Sequence, residues 1–193
     1  MAAQLTLVDM VLFEEKECEG MLRLRPYKAS DAEAILNWCR DEITFRRWTG
    51  DRYDKFPITE ADMNRKYFEF NGDCSEPDNF YPFTVLDGND IIGHFILRYV
   101  DEVKKTLRIG FVIVDDKKRG MGYGTEMIRL AIKYCFEFYG ADKITIGAFE
   151  NNPSAYKCYK NSGFKEIASE ECFYAEVCGE KWKIIELEIN KDV

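Results

Sequence analysis

Residues 106–125 of this 193-residue chain read TLRIGFVIVDDKKRGMGYGT. The segment begins with an apolar, β-branched run, continues with four charged residues, and then places Gly120, Gly122 and Gly124 at the start of a long amphipathic stretch. This order predicts a strand, a turn and the N-terminus of a helix. Glycines let the backbone approach a bulky anion, and the first amides of a helix have no intrahelical partner. We therefore expect the segment to bind a pyrophosphate.

The spacing of the glycines separates this loop from two common nucleotide-binding motifs. A Walker loop ends in Lys followed by Ser or Thr, which does not follow these glycines, and a dinucleotide fingerprint needs a third glycine where this chain has Thr125. Arg119-x-x-Gly122-x-Gly124 resembles instead the R/Q-x-x-G-x-G/A signature of the GNAT superfamily of acetyl-CoA-dependent N-acetyltransferases. A glycine-rich turn without a ligand is the alternative for this segment taken alone.

A second motif of the same superfamily follows at residues 152–164. Their sequence, NPSAYKCYKNSGF, resembles the pattern N-x-x-A-x-x-x-Y-x-x-x-G-F. Because two matches in order are more specific than one, the chain is identified as a member of the GNAT superfamily, and it looks closest to the Rim-type branch that acetylates ribosomal-protein N-termini. The resemblance covers residues 20–190 as a single acetyltransferase domain. Residues 1–19 form an extension of unknown role, expected to pack on the domain or on a second subunit in a homodimer.

Composition and charge narrow the class of function. With 32% charged and 46% hydrophobic residues and no long apolar run or signal-peptide pattern, the chain is expected to be soluble and cytoplasmic, without a membrane partner. A net charge of −8 argues against nucleic acid and favours cationic partners. The seven cysteines form no C-x-x-C pair, so we expect neither disulfides nor a metal site.

The predicted elements assemble into one mixed sheet. Strands are expected over residues 21–26, 80–86, 90–100, 106–114 and 143–149, with a closing hairpin formed by residues 164–177 and 180–189. Short links make neighbours antiparallel, whereas the helix from Tyr123 to about Tyr139 makes the strands on either side of it parallel. Together with the resemblance, this predicts an α+β, three-layer, GNAT-like fold. Its mostly antiparallel central sheet has about six to seven strands, a parallel pair splayed at the centre, and helices on both faces.

Two predicted helices and the segment that joins them lie between the first and second predicted strands. A capping box at Ser30 and Glu33 predicts a first helix, and Thr59 predicts the cap of another helix that runs to about Phe70. The segment Asp41–Pro57 between them is rich in aromatic and charged residues without a clear period. We therefore expect it to be a functional loop.

The resemblance implies where acetyl-CoA, the expected co-substrate, binds. In the family the pantetheine arm lies along the central strand and the pyrophosphate lies on the main-chain amides of the glycine loop. The residues that match these positions here are Val112, Ile113, Val114, Arg119, Gly120, Met121, Gly122, Tyr123, Gly124 and Thr125. Asn152 would contact the pantetheine arm, and Tyr159 lies nearly two turns later on the same helix face.

Chemistry gives Tyr159 a role of its own. When an amine attacks a thioester, the leaving thiolate gains from a proton, and a phenol of reference pKa about 10 remains a neutral donor at cell pH. We expect Tyr159 to be the general acid, with an aromatic core residue as the alternative. Rim-type relatives often have Glu where this chain has Arg108. Glu150, at the end of the strand beside the opened slot, is the first candidate for the general base, followed by His94 and Asp51, and a solvated or structurally paired side chain is the alternative for each.

The implied reaction is direct transfer of an acetyl group to a primary amine in a ternary complex. The amine would be a protein N-terminus or a small cationic molecule, and Trp48 and Asp51 are the expected acceptor-binding residues because they offer an apolar wall and a carboxylate that attracts an ammonium group. Two alternatives stay open. One is a small-molecule N-acetyltransferase of the aminoglycoside or polyamine type, and the other is a non-catalytic acyl-CoA-binding module, which Arg108 favours and Tyr159 opposes.

Overall fold

The computed structural model describes residues 21–70, 80–101, 103, 105–168 and 172–191, so the predicted extension at residues 1–19 lies outside it. The strands are β1 (Arg23–Pro26), β2 (Tyr81–Asp87), β3 (Asp90–Tyr99), β4 (Thr106–Val114), β5 (Lys143–Phe149), β6 (Lys165–Glu166), β7 (Phe173–Val177) and β8 (Glu180–Asn190). The helices are α1 (Ala32–Asn37), which follows a 3₁₀ turn (Ala29–Asp31), then α2 (Glu42–Thr49), α3 (Glu60–Phe70), α4 (Tyr123–Glu137) and α5 (Pro153–Asn161).

The eight strands form one mixed sheet. Its order is β1-β2-β3-β4-β5-β8-β6, and β7 also pairs with β8. All of these pairs are antiparallel except β4 with β5, which is parallel. The predicted mixed sheet is therefore confirmed. It has more strands than the six to seven expected because the closing segment contributes the two-residue β6 in addition to its hairpin.

The central strands β4 and β5 separate along their length. Their pairing ends at Ile109 and Ile146. Beyond that point β4 continues along β3 to Val114, whereas β5 continues along β8 to Phe149. Each strand thus keeps its outer neighbour while the inner edges part, and a V-shaped slot opens in the middle of the sheet.

Helices cover both faces of the sheet, which confirms the three layers. On one face α4 buries four side chains at helical spacing against the sheet: Met127, Ile128, Ala131 and Cys135. On the other face α1, α2 and α3 form a second cluster that is rich in aromatic rings. None of the described helices is long and apolar enough to cross a bilayer.

The segment Asp41–Pro57 is not simply the loop that its composition predicted. It contains α2, whose N-cap is Asp41, with Oδ1 of that residue accepting the Thr44 amide at 2.7 Å. Phe45 and Trp48 are buried three residues apart on the inner face of this helix. Helix α2 therefore forms because its aromatic side chains pack on the sheet, a tertiary contribution that overrides the irregular local pattern.

The first helical turn also differs from its prediction. It begins at Ala29 rather than after Ser30, because the Asp31 carboxylate accepts the Lys28 amide at 2.9 Å. The same carboxylate is buried and receives both terminal nitrogens of Arg25, at 2.6 and 2.8 Å, and the hydroxyl of Thr84, at 2.7 Å. Burial would raise the pKa of Asp31, but these hydrogen bonds outweigh it and lower the pKa, so the side chain stays ionised.

His94 lies inside the aromatic cluster. Its Nε2 is 2.8 Å from the Tyr67 hydroxyl, and the two rings stack with centroids 5.5 Å apart. The rings of Trp48 and Tyr27 contact it edge-on. Burial lowers the pKa of His94 to about 3. The imidazole is therefore neutral at cell pH and acts as part of the core.

This burial predicts a pH dependence of stability. The unfolded chain takes up a proton on His94 below a pKa of about 6.5, whereas the folded protein does so only near pH 3. The unfolded state thus binds more protons between these values, and the free energy of unfolding should fall by up to about 1.4 kcal/mol per pH unit as the pH decreases through the window. Urea unfolding between about pH 7 and 5 measures the slope. His94→Gln should make the free energy of unfolding less dependent on pH. Equal slopes for the wild-type protein and the variant would contradict the burial of a neutral His94 as the cause.

Candidate functional site

The glycine loop turns from β4 into α4 through left-handed backbone. Gly120 and Gly122 have φ angles of 81° and 94°, and a Cβ at either position would meet nothing within 4 Å. Gly122 is also the N-cap of α4, so no capping side chain covers the amides of the first turn, which lack intrahelical acceptors. The loop therefore presents main-chain donors at the positive end of a helix dipole.

Two side-chain contacts hold this loop from behind. Arg119 donates from Nε to the Val114 carbonyl at 3.1 Å and from Nη2 to the Trp38 carbonyl at 2.9 Å. Gly124 lets α4 approach α5 closely, since a Cβ there would lie 3.2 Å from Sγ of Cys158. The position of the loop is thus fixed by the end of β4, by α1 and by α5.

Two connected clefts lie along the slot between β4 and β5. The first, which we call the glycine-loop cleft, holds about 650 Å³ and is lined in part by Val114, Arg119, Gly120, Gly122, Gly124 and Thr125. The second, the inner cleft, holds about 570 Å³ and is lined in part by Arg108, Gly110, Gly147 and Ile184. The residues that line both clefts are Arg47, Trp48, Val112, Asn152, Ala155 and Tyr159.

A bulge in β4 shapes the wall between the clefts. The β3–β4 register shifts between Gly110 and Ile113, so β4 carries one extra residue there, and Phe111 has a φ of 49°. The indole Nε1 of Trp48 donates to the Phe111 carbonyl at 2.8 Å. Trp48 therefore lines both clefts and also holds the bulge in place.

Tyr159 lies at the junction of the two clefts on α5. Asn152 caps this helix, with Oδ1 accepting the Ala155 amide at 3.3 Å. Burial raises the pKa of Tyr159 above its ordinary value, the neighbouring Cys158 raises it further, and the positive charge of Arg108 lowers it only in part. The phenol is therefore protonated at neutral pH, the state that a proton donor requires.

Arg108 and Glu186 form an ion pair beneath Tyr159. Nη1 and Nη2 of Arg108 lie 2.7 Å from the two carboxylate oxygens of Glu186, which is an arrangement typical of strong bidentate pairs. Gly147 on β5 makes room for it, because a Cβ there would lie 2.7 Å from Arg108 Nη2 and 3.2 Å from Glu186 Oε1. The arginine that sets this chain apart from the Rim-type pattern is thus matched by a carboxylate on β8.

The first candidate for the general base lies away from the clefts. Glu150 follows β5, and its carboxylate pairs with Nζ of Lys183 at 2.9 Å on an exposed surface. Glu150 lines neither cleft, and neither does the buried His94. The structure therefore does not bring either residue together with Tyr159.

Asp51 lines the inner cleft, but its carboxylate is engaged by other residues of the chain. It accepts the Cys178 amide at 3.2 Å and lies 3.4 Å from Nη1 of Arg46. Nη2 of the buried Arg46 also donates to the Glu42 carboxylate at 3.1 Å. Asp51 therefore connects the segment after α2 to the turn between β7 and β8.

A comparison with protein families decides the classification. The family model for the acetyltransferase (GNAT) domain matches residues 21–165 of the chain. The chain belongs to the GNAT acetyltransferase family. The superfamily predicted from the two motifs is confirmed.

Several characterised acetyltransferases resemble this GNAT chain. Spermine/spermidine N(1)-acetyltransferase of Bacillus subtilis (strain 168) is 26% identical over 98 residues, a match that spans 48% of this chain and 64% of that protein. Spermidine N-acetyltransferase from Vibrio cholerae, solved with CoA and spermine, superposes with a TM-score of 0.70 at 21% identity over 88% of this chain and 95% of its own. AAC(6')-Ib, solved with ribostamycin and coenzyme A, has a TM-score of 0.68 at 16% identity over 89% and 94%. At such identities the solved structures establish the shared fold.

The prediction for the glycine loop concerns its main-chain amides and stays a prediction, whereas one residue beside the slot was missed. Met121 is exposed and Tyr123 donates its hydroxyl to Asp87 at 2.7 Å, so neither side chain lines a cleft. Arg47 was not predicted, yet it lines both clefts and donates to the main chain and side chain of Asn151 across the slot. Only recognition of α2 as a helix would have placed Arg47 beside the slot.

The contact between Gly147 and the ion pair predicts a specific effect on stability. Gly147→Ala should lower the free energy of unfolding by about 1–3 kcal/mol, because the added methyl group overlaps the side chains of Arg108 and Glu186. Gly110→Ala is the matched control on β4, since its Cβ would meet Ile96 at an ordinary 3.5 Å. Urea unfolding of both variants measures the difference, and equal losses would show that the ion pair does not require the glycine.

Proposed function

We propose that this protein transfers an acetyl group from acetyl-CoA to the primary amine of a small molecule, by direct attack in a ternary complex. The observation that carries the proposal is the position of Tyr159, which lines both the glycine-loop cleft and the inner cleft. A cofactor in the first cleft and an acceptor in the second would meet at this hydroxyl. Such an arrangement suits a reaction in which both substrates are bound at once.

The glycine-loop cleft offers the donors that acetyl-CoA requires. The uncapped amides at the start of α4, next to Gly122 and Gly124, would hold the pyrophosphate. The slot-facing edge of β4 at 112–114 has no partner strand in the described structure, so its main-chain groups would pair with the pantetheine amides as an added strand does. Asn152, which lines both clefts, would contact the same arm.

Tyr159 would act as the general acid. Acetyl-CoA supplies an acetyl group activated as a thioester. As the acceptor nitrogen bonds to the carbonyl carbon and the carbon–sulfur bond breaks, the hydroxyl of Tyr159 gives its proton to the departing sulfur. A main-chain amide of β4 near Val114 would stabilise the negative charge that develops on the carbonyl oxygen. Glu150 and His94 line neither cleft, and the Asp51 carboxylate is engaged by Arg46 and the Cys178 amide, so the proton lost by the amine would pass to solvent water.

The comparisons support the small-molecule alternative. The relatives described above are spermine or spermidine acetyltransferases and a protein solved with ribostamycin, and none of their names refers to a protein N-terminus. An inner cleft of about 570 Å³ also falls within the usual range for small-molecule sites. A small primary amine is therefore the acceptor that we propose.

Thiol release from acetyl-CoA tests the activity. The protein would be assayed with polyamines, aminoglycosides, free amino acids and peptides as acceptors, while calorimetry measures the affinity for acetyl-CoA. We expect thiol release that depends on a small amine. Release with peptide N-termini alone would restore a protein N-terminus as the acceptor, and tight acetyl-CoA binding without release for any amine would favour the non-catalytic module.

Tyr159→Phe should slow turnover without weakening cofactor binding. The substitution removes only the hydroxyl, and loss of one general acid is worth about 10² to 10⁴ in rate. Tyr156→Phe is the matched control, since Tyr156 lies on the same helix, lines neither cleft and donates its hydroxyl to Glu166. If both variants keep the wild-type kcat on the best acceptor, Tyr159 serves packing alone.

Gly122→Val should abolish acetyl-CoA binding. Valine is strained at a φ of 94°, and its side chain would occupy the open space in front of the loop amides. Gly88→Val is the control because it imposes a similar strain, at a φ of 59°, in the turn between β2 and β3. Calorimetric titration of both folded variants checks the effect, and unchanged affinity in Gly122→Val would remove the loop from the cofactor site.

A further inference from the structure

The residues that line the inner cleft carry an excess of positive charge, although the chain as a whole is negative. The chain has a net charge of −8. The cationic residues that line the inner cleft are nevertheless Arg47, Arg52, Lys66, Arg98 and Arg108, whereas its acidic lining residues are Asp51 and Glu176. A cleft focuses the field of the charges around it, so the local excess matters more to a bound molecule than the net charge does.

Both acidic lining residues face basic groups within the chain. The Asp51 carboxylate accepts the Cys178 amide and lies 3.4 Å from Nη1 of Arg46. Glu176 on β7 is directly opposite Lys181 in the β7–β8 register. An ammonium group that entered the inner cleft would thus compete with cations already present, which weakens the expectation that Asp51 attracts a cationic acceptor.

Arg108 is the cation best placed to bind an anionic group. The Glu186 carboxylate accepts one hydrogen bond from each terminal nitrogen of Arg108, both at 2.7 Å, and so holds the guanidinium at the inner cleft. A guanidinium has further N–H groups beyond those two bonds. Arg98 is directly opposite Arg108 in the β3–β4 register, so a second positive charge adds to the field at this point of the inner cleft.

We propose that the acceptor carries a carboxylate together with its primary amine, and that Arg108 binds this carboxylate. The proposal rests on the acetyltransferase function proposed above and names its substrate class. Arg108 is chosen among the cations that line the inner cleft because Glu186 fixes the orientation of its guanidinium and because it lines the same cleft as Tyr159. Glu186 is a positioning residue, because it fixes the orientation of the Arg108 guanidinium.

The place of Arg108 also limits the shape of the acceptor. Arg108 and Tyr159 line the same cleft, and the charge of Arg108 acts on the phenol. A carboxylate held at Arg108 would therefore keep an amine close to it in the molecule within reach of the acetyl group at Tyr159. An amino acid has this arrangement. A polyamine lacks the anionic group and adds charges of the same sign as the lining.

Matched acceptors separate these substrate classes. The wild-type protein would be assayed by thiol release with free amino acids, with the primary amides of the same amino acids, and with spermidine and spermine. Each acid and its amide share one amine and differ in the carboxylate. We expect kcat/KM for the best acid to exceed that of its amide by about ten- to a hundredfold, the effect of one charge-assisted hydrogen bond.

A double variant tests Arg108 directly. Arg108→Gln combined with Glu186→Gln removes both charges and keeps a polar pair, so that no unpaired carboxylate is left in a half-buried site. The ratio of kcat/KM for the acid to kcat/KM for its amide should fall about ten- to a hundredfold, because effects of the lost charge on Tyr159 are shared by both acceptors and cancel in the ratio. Arg65→Gln, an exposed arginine on α3 that pairs with Asp62, is the matched control for loss of a positive charge outside the clefts. Calorimetric affinity for acetyl-CoA confirms that each variant is folded.

The outcomes distinguish this inference from the function on which it rests. Preference for spermidine or spermine over every acid, or equal rates for acids and their amides, would overturn the carboxylate assignment and leave the acetyltransferase activity standing. An unchanged acid-to-amide ratio in the double variant would remove Arg108 from the site. Absence of thiol release with every amine would overturn both proposals.

Discussion

The separation of β4 from β5 is the constraint on which the rest of the structure depends. Once pairing ends at Ile109 and Ile146, main-chain groups in the middle of a sheet lose the partners that they would normally have. The outer neighbours β3 and β8 keep both strands in the sheet, while the bulge at Phe111 and the indole of Trp48 hold the β4 side in place. The slot is thus maintained by tertiary contacts, and both clefts exist because of it.

Two guanidinium groups beside the slot are held by partners within the chain. Arg108 is held by Glu186 on the inner side, and Arg119 is held by the carbonyls of Val114 and Trp38 on the glycine-loop side. A half-buried guanidinium without acceptors would cost several kcal/mol, so these contacts stabilise the fold and orient the groups at once. The same arrangement gives the clefts a positive lining within an acidic protein. Net charge alone could not reveal this, because it averages over the whole surface.

The position of Tyr159 illustrates how the layers combine. Its helix is capped by Asn152, packs on α4 through the close approach at Gly124, and presents the phenol where both clefts meet. Burial keeps that phenol protonated by raising its pKa. A residue that would be an ordinary core aromatic on another helix is in this way placed where a cofactor in one cleft and an acceptor in the other would meet.

The sequence by itself determined the elements whose signals are local. The strands β4 and β5, the glycine loop, the capping box formed by Thr59 and Asp62, and the Asn152 cap all follow from caps, turns and periodicity within a few residues. Only the tertiary structure decided that α2 lies inside Asp41–Pro57, that Glu150 faces Lys183, and that Arg108 meets Glu186, 78 residues away. The physical reason is that local signals fix backbone dihedrals and helix ends, whereas contacts between distant side chains depend on strand order and register, and these are set by packing of the whole sheet.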